Sequence, residues 1–265
     1  MVGRDANEAS QILGIDIGGS GIKGAPVDVV RGELITDRSR IATPRPALPK
    51  KVAAVVAELV DHFEWSGAVG CTFPGVVKDG EVRTAANVHD RWIGVDGRDL
   101  FERRTHCSVT LLNDADAAGI AEMRFGAGRD QRGLVIMITL GTGIGTALFI
   151  DGRLVPNSEL GHLIVRGKDA EERASDRART ANHWSWKKWA KRLDEYLCYL
   201  EALLNPDLFI LGGGVSKKHE RYLRYLNTAA PVVPAEMRNE AGIIGAAVAA
   251  GEEIPADLRH PHHSS

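Results

Sequence analysis

The chain has 265 residues, of which 44% are hydrophobic and 26% charged, and its formal net charge is −2. That length suffices for two lobes or one large α/β domain, and the composition is that of an ordinary globular protein. The charge balance excludes a general attraction to nucleic acid or an anionic membrane, so any polyanion must be held by a local basic patch. Three cysteines, Cys71, Cys107 and Cys198, lie far apart with no CxxC spacing. This argues against a disulfide framework or a zinc site and for a reducing, cytoplasmic setting. Residues 1–11 are polar with charges of both signs and do not read as a signal peptide. No apolar run approaches the roughly 18 residues of a membrane-spanning helix. The tails, 1–10 and 255–265, read as flexible, the second ending in His260-Pro261-His262-His263.

Residues 12–17 are an apolar run rich in β-branched isoleucine around one acid, Asp16, and read as a strand. Gly18, Gly19, Ser20 and Gly21 follow, then Lys23. Glycines there let backbone N–H groups approach an anion, Lys23 adds a point charge, and Asp16 offers a hard oxygen for Mg²⁺ or its waters. The Walker A spacing fails, because Gly19 is followed by Ser20 rather than Lys. Gly19-x-Gly21-x-x-Gly24 satisfies the dinucleotide pattern, but that pattern needs a helix next. Residues 22–29 contain Pro26 and read as a second strand, with a short third at 34–36. A phosphate-cradling hairpin is therefore expected, with a tight ligand-free glycine hairpin as the alternative.

Pro49 opens a helix whose apolar face is Val52, Val55, Val56, Leu59, Val60 and Phe63. A strand at 68–72 ends in Pro74-Gly75, and 76–82 is a hairpin on Asp79-Gly80. The aperiodic stretch 84–92 holds Asn87, His89, Asp90 and Trp92, which reads as a ligand loop. Strand 109–112 then delivers Asn113 and Asp114 to the start of a helix. Either residue could be its N-cap. An acid at the carboxyl end of a strand is also where α/β sheets put chemistry.

The strand 133–140 ends in Gly141-Thr142-Gly143-Ile144-Gly145 and is followed by a strand at 147–150, echoing the opening stretch. Glu159-x-Gly161-His162 sits in a polar loop just downstream. Residues 166–192 read as helical and base-rich, with Trp184, Trp186 and Trp189 interleaved, and helix continues until Pro206. A strand at 207–211 ends in Gly212-Gly213-Gly214-Val215, which either seats an adenine or phosphate or lets strand and helix pack closely. A helix is expected from Lys217, and a closing helix at 241–251 returns to the first lobe.

Together, Asp16-x-Gly18-Gly19-Ser20, Gly141-Thr142-Gly143-Ile144-Gly145, Glu159-x-Gly161-His162 and Gly212-Gly213-Gly214 resemble, in order, the motifs of ROK-family sugar kinases. Arg83-Thr84-Ala85-Ala86-Asn87-Val88, Leu112-Asn113-Asp114-Ala115-Asp116-Ala117 and Pro231-Val232-Val233-Pro234 resemble its bacterial polyphosphate glucokinase subgroup. The resemblance covers residues 13–250. It implies an α/β, two-lobed actin-like ATPase (ribonuclease H-like) fold with the active site in the interlobe cleft. The small lobe would be 11–113 plus 243–254, and the large lobe 114–242. It also implies phosphorylation of glucose at its 6-hydroxyl by inorganic polyphosphate, often with ATP as a second donor, with Mg²⁺ and usually as a homodimer. Asp114 would be the general base, and Asn87, Asn113, Asp114, Glu159 and His162 would bind the sugar. Asp16, Gly18, Gly19, Ser20, Gly21, Lys23, Gly141, Thr142, Gly143 and Gly145 would hold the donor, with Asp16 reaching Mg²⁺ through water. Gly212, Gly213, Gly214 and Val215 would hold the nucleotide or outer phosphates. Many relatives carry a cysteine-rich zinc motif after the Glu-x-Gly-His, but 165–175 here has no cysteine. No zinc site is expected, His162 is left for the sugar, and Glu171, which matches the end of that motif, would reach the sugar too.

Arg173, Arg177, Lys187, Lys188, Lys191, Lys217 and Lys218 are either a plain solvated face or a path for the polyphosphate chain. An ATP-only glucokinase is the near rival. A sugar-responsive repressor would need a helix-turn-helix ahead of Leu13. A filament or chaperone ATPase would lack the sugar pocket.

Overall fold

The computed structural model describes residues 10–253, so the expected tails fall outside it except for Ser10. Strand β1 (Gln11–Ile17) turns back at 18–21 into β2 (Ile22–Asp28), with Ile17 opposite Ile22. Two short strands, β3 (Glu33–Leu34) and β4 (Ser39–Ile41), both pair with β2. Helix α1 (Pro49–His62) starts on its proline, which suits a position whose N–H has no intrahelical partner, and buries Val52, Val56, Leu59 and Val60. Next come β5 (Val69–Phe73), the hairpin β6 (Val77–Lys78) and β7 (Glu81–Val82), then α2 (Gly97–Thr105), capped by Asp96. Both hairpin turn residues, Asp79 and Gly80, have positive φ, as a two-residue turn between twisted strands requires. Strand β8 (Val109–Asn113) leads straight into α3 (Asp114–Phe125). The sheet order is β3-β2-β1-β5-β8, with β1, β5 and β8 parallel.

The stretch 84–92 is not only a loop. Asp90–Trp92 is a 3₁₀ turn, and Trp92 is wholly buried against Phe73 and Phe101, its indole N–H donated to the Ala47 carbonyl. Trp92 is core, not ligand surface.

A second sheet follows, in the order β11-β10-β9-β14-β15. It is built from β9 (Leu134–Leu140), β10 (Ile144–Ile150) and β11 (Arg153–Val155). The small hairpin β12 (Ile164–Val165) and β13 (Lys168–Asp169) precedes three helices, α4 (Ala170–Ala174), α5 (Asp176–Ala181) and α6 (Trp186–Leu204). The continuous helix expected over 166–192 is therefore broken twice. Ser175 and Ser185 each take extended backbone and accept a bond from the N–H three residues on, capping α5 and α6. Strand β14 (Leu208–Gly212) runs parallel to β9, and β15 (Val232–Pro234) runs parallel to β14. The helix expected from Lys217 is a 3₁₀ segment, Gly214–Arg221, irregular at Lys218.

Helix α7 (Ala241–Glu253) closes the chain. The described residues divide into two units, 10–121 with 240–253 and 122–239, so α7 belongs with the first sheet. It lies directly on backbone: a Cβ on Gly14 would stand 2.0 Å from the Ile243 carbonyl oxygen, and one on Gly70 1.9 Å from that of Ala246. On its other side, a Cβ on Gly245 would stand 1.7 Å from the Ala117 oxygen of α3. Glycine at these positions is a packing requirement. Among the described residues, no helix is long and apolar enough to cross a membrane.

Candidate active site

In the first unit, the carboxyl ends of parallel β1, β5 and β8 carry Asp16, Phe73 and Asn113 to one sheet edge. The register places Asp16, Lys23 and Arg40 side by side across β1, β2 and β4. Lys23 Nζ lies 3.3 Å from Asp16 Oδ2, and the Thr72 hydroxyl donates to Asp16 Oδ1 at 3.0 Å. Thr72 Oγ1 also accepts the Ile17 N–H. The 18–21 turn is tied by Gly18 N–H to the Gly21 carbonyl and by the Thr43 hydroxyl to the Gly18 carbonyl. Arg40 Nη2 donates to the Ser20 carbonyl at 2.8 Å, and its guanidinium fills the space a Gly21 side chain would need. Thr43, Thr72 and Arg40 were not singled out in the sequence, since each lies far along the chain from the turn it braces.

Asn87, at φ 61°, reaches this turn: a Cβ on Gly19 would stand 3.0 Å from its Cβ. Asn113 is buried, its Oδ1 accepting the N–H groups of Ala115 and Asp116 and its Nδ2 donating to the Gly75 carbonyl. It is the cap of α3. Asp114, the first helical residue, is exposed. The cap and the exposed acid are thus separate residues.

In the second unit, Gly141 N–H donates to Gly143 O across the β9–β10 turn. The Gly213 turn, at φ 80°, abuts Leu140, since a Cβ there would stand 2.4 Å from the Leu140 oxygen. Two glycine turns thus meet at adjacent strand ends. Gly214 is open, with no atom within 4 Å of a would-be Cβ, whereas Val215 is buried core, so only its backbone could meet a ligand. Glu171 accepts the Ile144 N–H and fills the space over Gly143. Gly161 packs on the Ile144 carbonyl, which brings the Glu159 and His162 loop onto β10. His162 Nδ1 lies 3.1 Å from Asp169 Oδ2, and its Nε2 lies 3.7 Å from Glu159.

Burial pushes the Glu159 carboxyl above its ordinary range, with His162 opposing and Glu171 adding to the rise. The Asp169 hydrogen bond raises His162, against partial desolvation and with help from Glu171 and Glu159. A raised imidazole stabilises the fold below its unfolded value, about 6.5, and that contribution fades as pH climbs through the folded value. Asp169→Asn should therefore lower the His162 midpoint in an NMR titration. Its loss of thermal stability should be greatest below about pH 6.5 and shrink as pH rises through the folded midpoint read in that titration. A midpoint that does not move would refute this coupling.

A cavity of about 540 Å³ opens beside the Gly213 turn, lined by Ser216, Lys217, His219, Val233, Pro234 and Arg238, within the size range of small-ligand sites. Its 235–238 wall is fixed by Glu122, a wholly buried carboxylate accepting N–H bonds from Ala127, Glu236 and Met237. Among the described residues, no three His, Cys, Asp or Glu side chains gather as a metal-binding set.

The sequence model of the ROK family matches residues 12–182. Polyphosphate glucokinase of Mycobacterium tuberculosis (strain CDC 1551 / Oshkosh) is 52% identical over 238 residues, 89% of this chain and 90% of that protein. A second relative of that name, from Mycobacterium leprae (strain TN), is 49% identical, covering 91% of this chain and 75% of its own length. The crystal structure of inorganic polyphosphate/ATP-glucomannokinase from Arthrobacter sp. strain KM superposes with TM-score 0.88 at 47% identity, covering 92% of this chain and 99% of that one. A ROK family glucokinase from Streptomyces griseus, in complex with glucose and AMPPNP, superposes at 0.78 with 26% identity, covering 91% and 99%. The mixed α/β architecture described above is thus the actin-like ATPase fold, and the chain belongs to the ROK family.

Proposed function

We propose that the chain phosphorylates glucose at its 6-hydroxyl, with inorganic polyphosphate and ATP as donors. The observation that carries this reading is Asp114: an exposed carboxylate at the carboxyl end of β8, next to a cap it does not have to supply. The high identity to polyphosphate glucokinases over nine-tenths of both chains supports the choice of substrates.

In this mechanism Asp114 accepts the proton of the sugar hydroxyl as its oxygen bonds to the terminal phosphorus. The bond from that phosphorus to the rest of the donor breaks, and the shortened donor leaves with the electron pair. Asn87, Glu159, His162 and Glu171 orient the sugar, and Asn113 fixes the start of the helix that carries the base. Amides of the 18–21, 141–145 and 212–215 segments, with Lys23 and Arg40, hold the donor's oxygens. The Lys23–Asp16 pair is partly exposed and worth about 0–1 kcal/mol, so Lys23 can turn to a phosphate at little cost. Asp16 offers one carboxylate, with Oδ1 held by Thr72 and Oδ2 facing Lys23, and a lone protein carboxylate suits Mg²⁺, which keeps several waters and leans on substrate phosphates. When bound, Mg²⁺ would neutralise donor charge. We also propose a cytoplasmic setting, which three free cysteines suit, and a homodimer, as the sequence resemblance implies.

The cavity beside Lys217 favours a second reading, an ATP-only glucokinase, because its size suits a nucleoside. A coupled assay for glucose 6-phosphate, run with polyphosphate freed of nucleotide and separately with ATP, decides between them. Product with both donors is expected. Product with ATP alone supports the second reading, and product with neither overturns the proposal.

A further inference from the structure

Residues 173–192 and 214–225 together hold eleven Lys or Arg against two acids, in a chain whose net charge is −2. The structure shows how these charges are held. Arg173 is taken up by Glu195, which also binds Arg166, so it drops out of the basic set expected from the sequence. The others rest mainly on aromatic rings. Arg179 lies 4.1 Å from the Trp186 ring centre and Lys218 5.9 Å from the same ring. Arg192 and Lys188 lie 4.1 and 5.8 Å from that of Trp184, and Arg224 and Lys187 lie 5.0 and 5.9 Å from that of Tyr225. Trp186 in turn stacks on buried Tyr222, 5.9 Å between centres, which joins α6 to the 3₁₀ segment Gly214–Arg221. Of these six cations, only Arg179 also has a carboxylate within 4 Å, that of Asp176, among the described residues.

The band begins at the glycine turns. Arg177 donates its backbone N–H to the Gly141 carbonyl at 3.1 Å, and Lys217 and Lys218 come after Gly214 with Val215 and Ser216 between.

We infer that this band of ring-supported cations binds the part of a long inorganic polyphosphate chain that lies beyond the reacting phosphoryl group. The inference rests on the proposed use of polyphosphate. A ring face adds no negative charge to the patch, whereas a carboxylate beside a cation lowers the local positive potential that an incoming anion meets. The rings also hold the long side chains in place, so less ordering is needed when the anion arrives. Single-stranded nucleic acid is the competing polyanion, but its sequence-tolerant binding relies on bases stacking on open aromatic faces. Here Trp184, Trp186 and Tyr225 already carry guanidinium or ammonium groups. A chain of bare phosphates needs no such faces.

The test compares wild type with Lys187→Ala/Lys188→Ala/Lys218→Ala, three ring-supported lysines at exposed positions. The quantity read is kcat/KM for long-chain polyphosphate divided by kcat/KM for ATP. We expect that ratio to fall roughly tenfold, and the log–log salt dependence of polyphosphate use to become shallower by about 2. The Lys→Arg triple variant should restore both, which separates charge from fold. An unchanged ratio, or an equal fall with both donors, overturns the inference while leaving the proposed reaction standing. So would wild-type kcat/KM values that do not differ between tripolyphosphate and long chains. Wild type that makes product with ATP but neither uses nor binds polyphosphate, followed by tryptophan fluorescence, overturns both the band and the donor. Competition by a single-stranded oligonucleotide as tight as polyphosphate assigns the band to nucleic acid instead.

Discussion

Asp114→Asn is expected to lower turnover of glucose by about 10²–10⁴, the usual loss when a positioned base is removed, while leaving a folded protein that still binds the sugar. The fold should survive because Asn113, not Asp114, satisfies the first N–H groups of α3. What Asp114 gives that helix is a negative charge in its first turn, worth about 0.3–1 kcal/mol. That is too little to unfold a domain, whereas a factor of 10³ in rate is about 4 kcal/mol of transition-state stabilisation. Steady-state kinetics beside a glucose titration by calorimetry separates the two. Turnover within a few-fold of wild type would remove Asp114 from the chemistry.

The largest expected effect on stability comes from a single methyl group. In Gly245→Ala the new Cβ would stand 1.7 Å from the Ala117 carbonyl oxygen, a backbone atom that cannot swing away. Alanine should gain about 1 kcal/mol in helix propensity, but overpacking against a rigid neighbour typically costs 1–3 kcal/mol and sometimes more. We expect the clash to win, with a net loss of about 2 kcal/mol or more and a fall in Tm of roughly 4–8 °C. Gly251→Ala in the same helix is the contrast, since its Cβ would meet side chains alone, the far end of Ile12 at 2.9 Å and Val29 at 3.8 Å. That variant should stay within about 1 kcal/mol of wild type. Equal melting temperatures for the two would refute the close-packed account of α7.

Strands that end in glycine were readable from the sequence because β-branched residues and the turn chemistry after them are local signals. The hairpins at 12–28 and 134–150 are of this kind. Helix α2 gave no such signal: among its nine residues only Leu100 and Phe101 are large and apolar. Trp92 suggested a ligand because it sits in a polar stretch, and its burial depends on Phe73, Phe101 and Ala47, distant in the chain. The breaks at Ser175 and Ser185 were in principle legible, as each serine stands at a helix start, but the basic residues spread over 166–192 masked the boundaries. At the site, the 18–21 glycine turn, Asp16 and Lys23 stand close together in sequence. Arg40, Thr43 and Thr72 reach them only through strand pairing and tertiary packing.

Those braces have a kinetic meaning. The 18–21 segment is pinned from two sides, by a hydroxyl at its first glycine and a guanidinium at its serine. On the proposed role of this segment, its amides other than that of Gly18, which bonds the Gly21 carbonyl, are positioned before any donor arrives, and the entropy of ordering them is lost during folding rather than at each encounter. Capture of a phosphate by this segment should accordingly be set by diffusion and charge, with no slow loop rearrangement ahead of it.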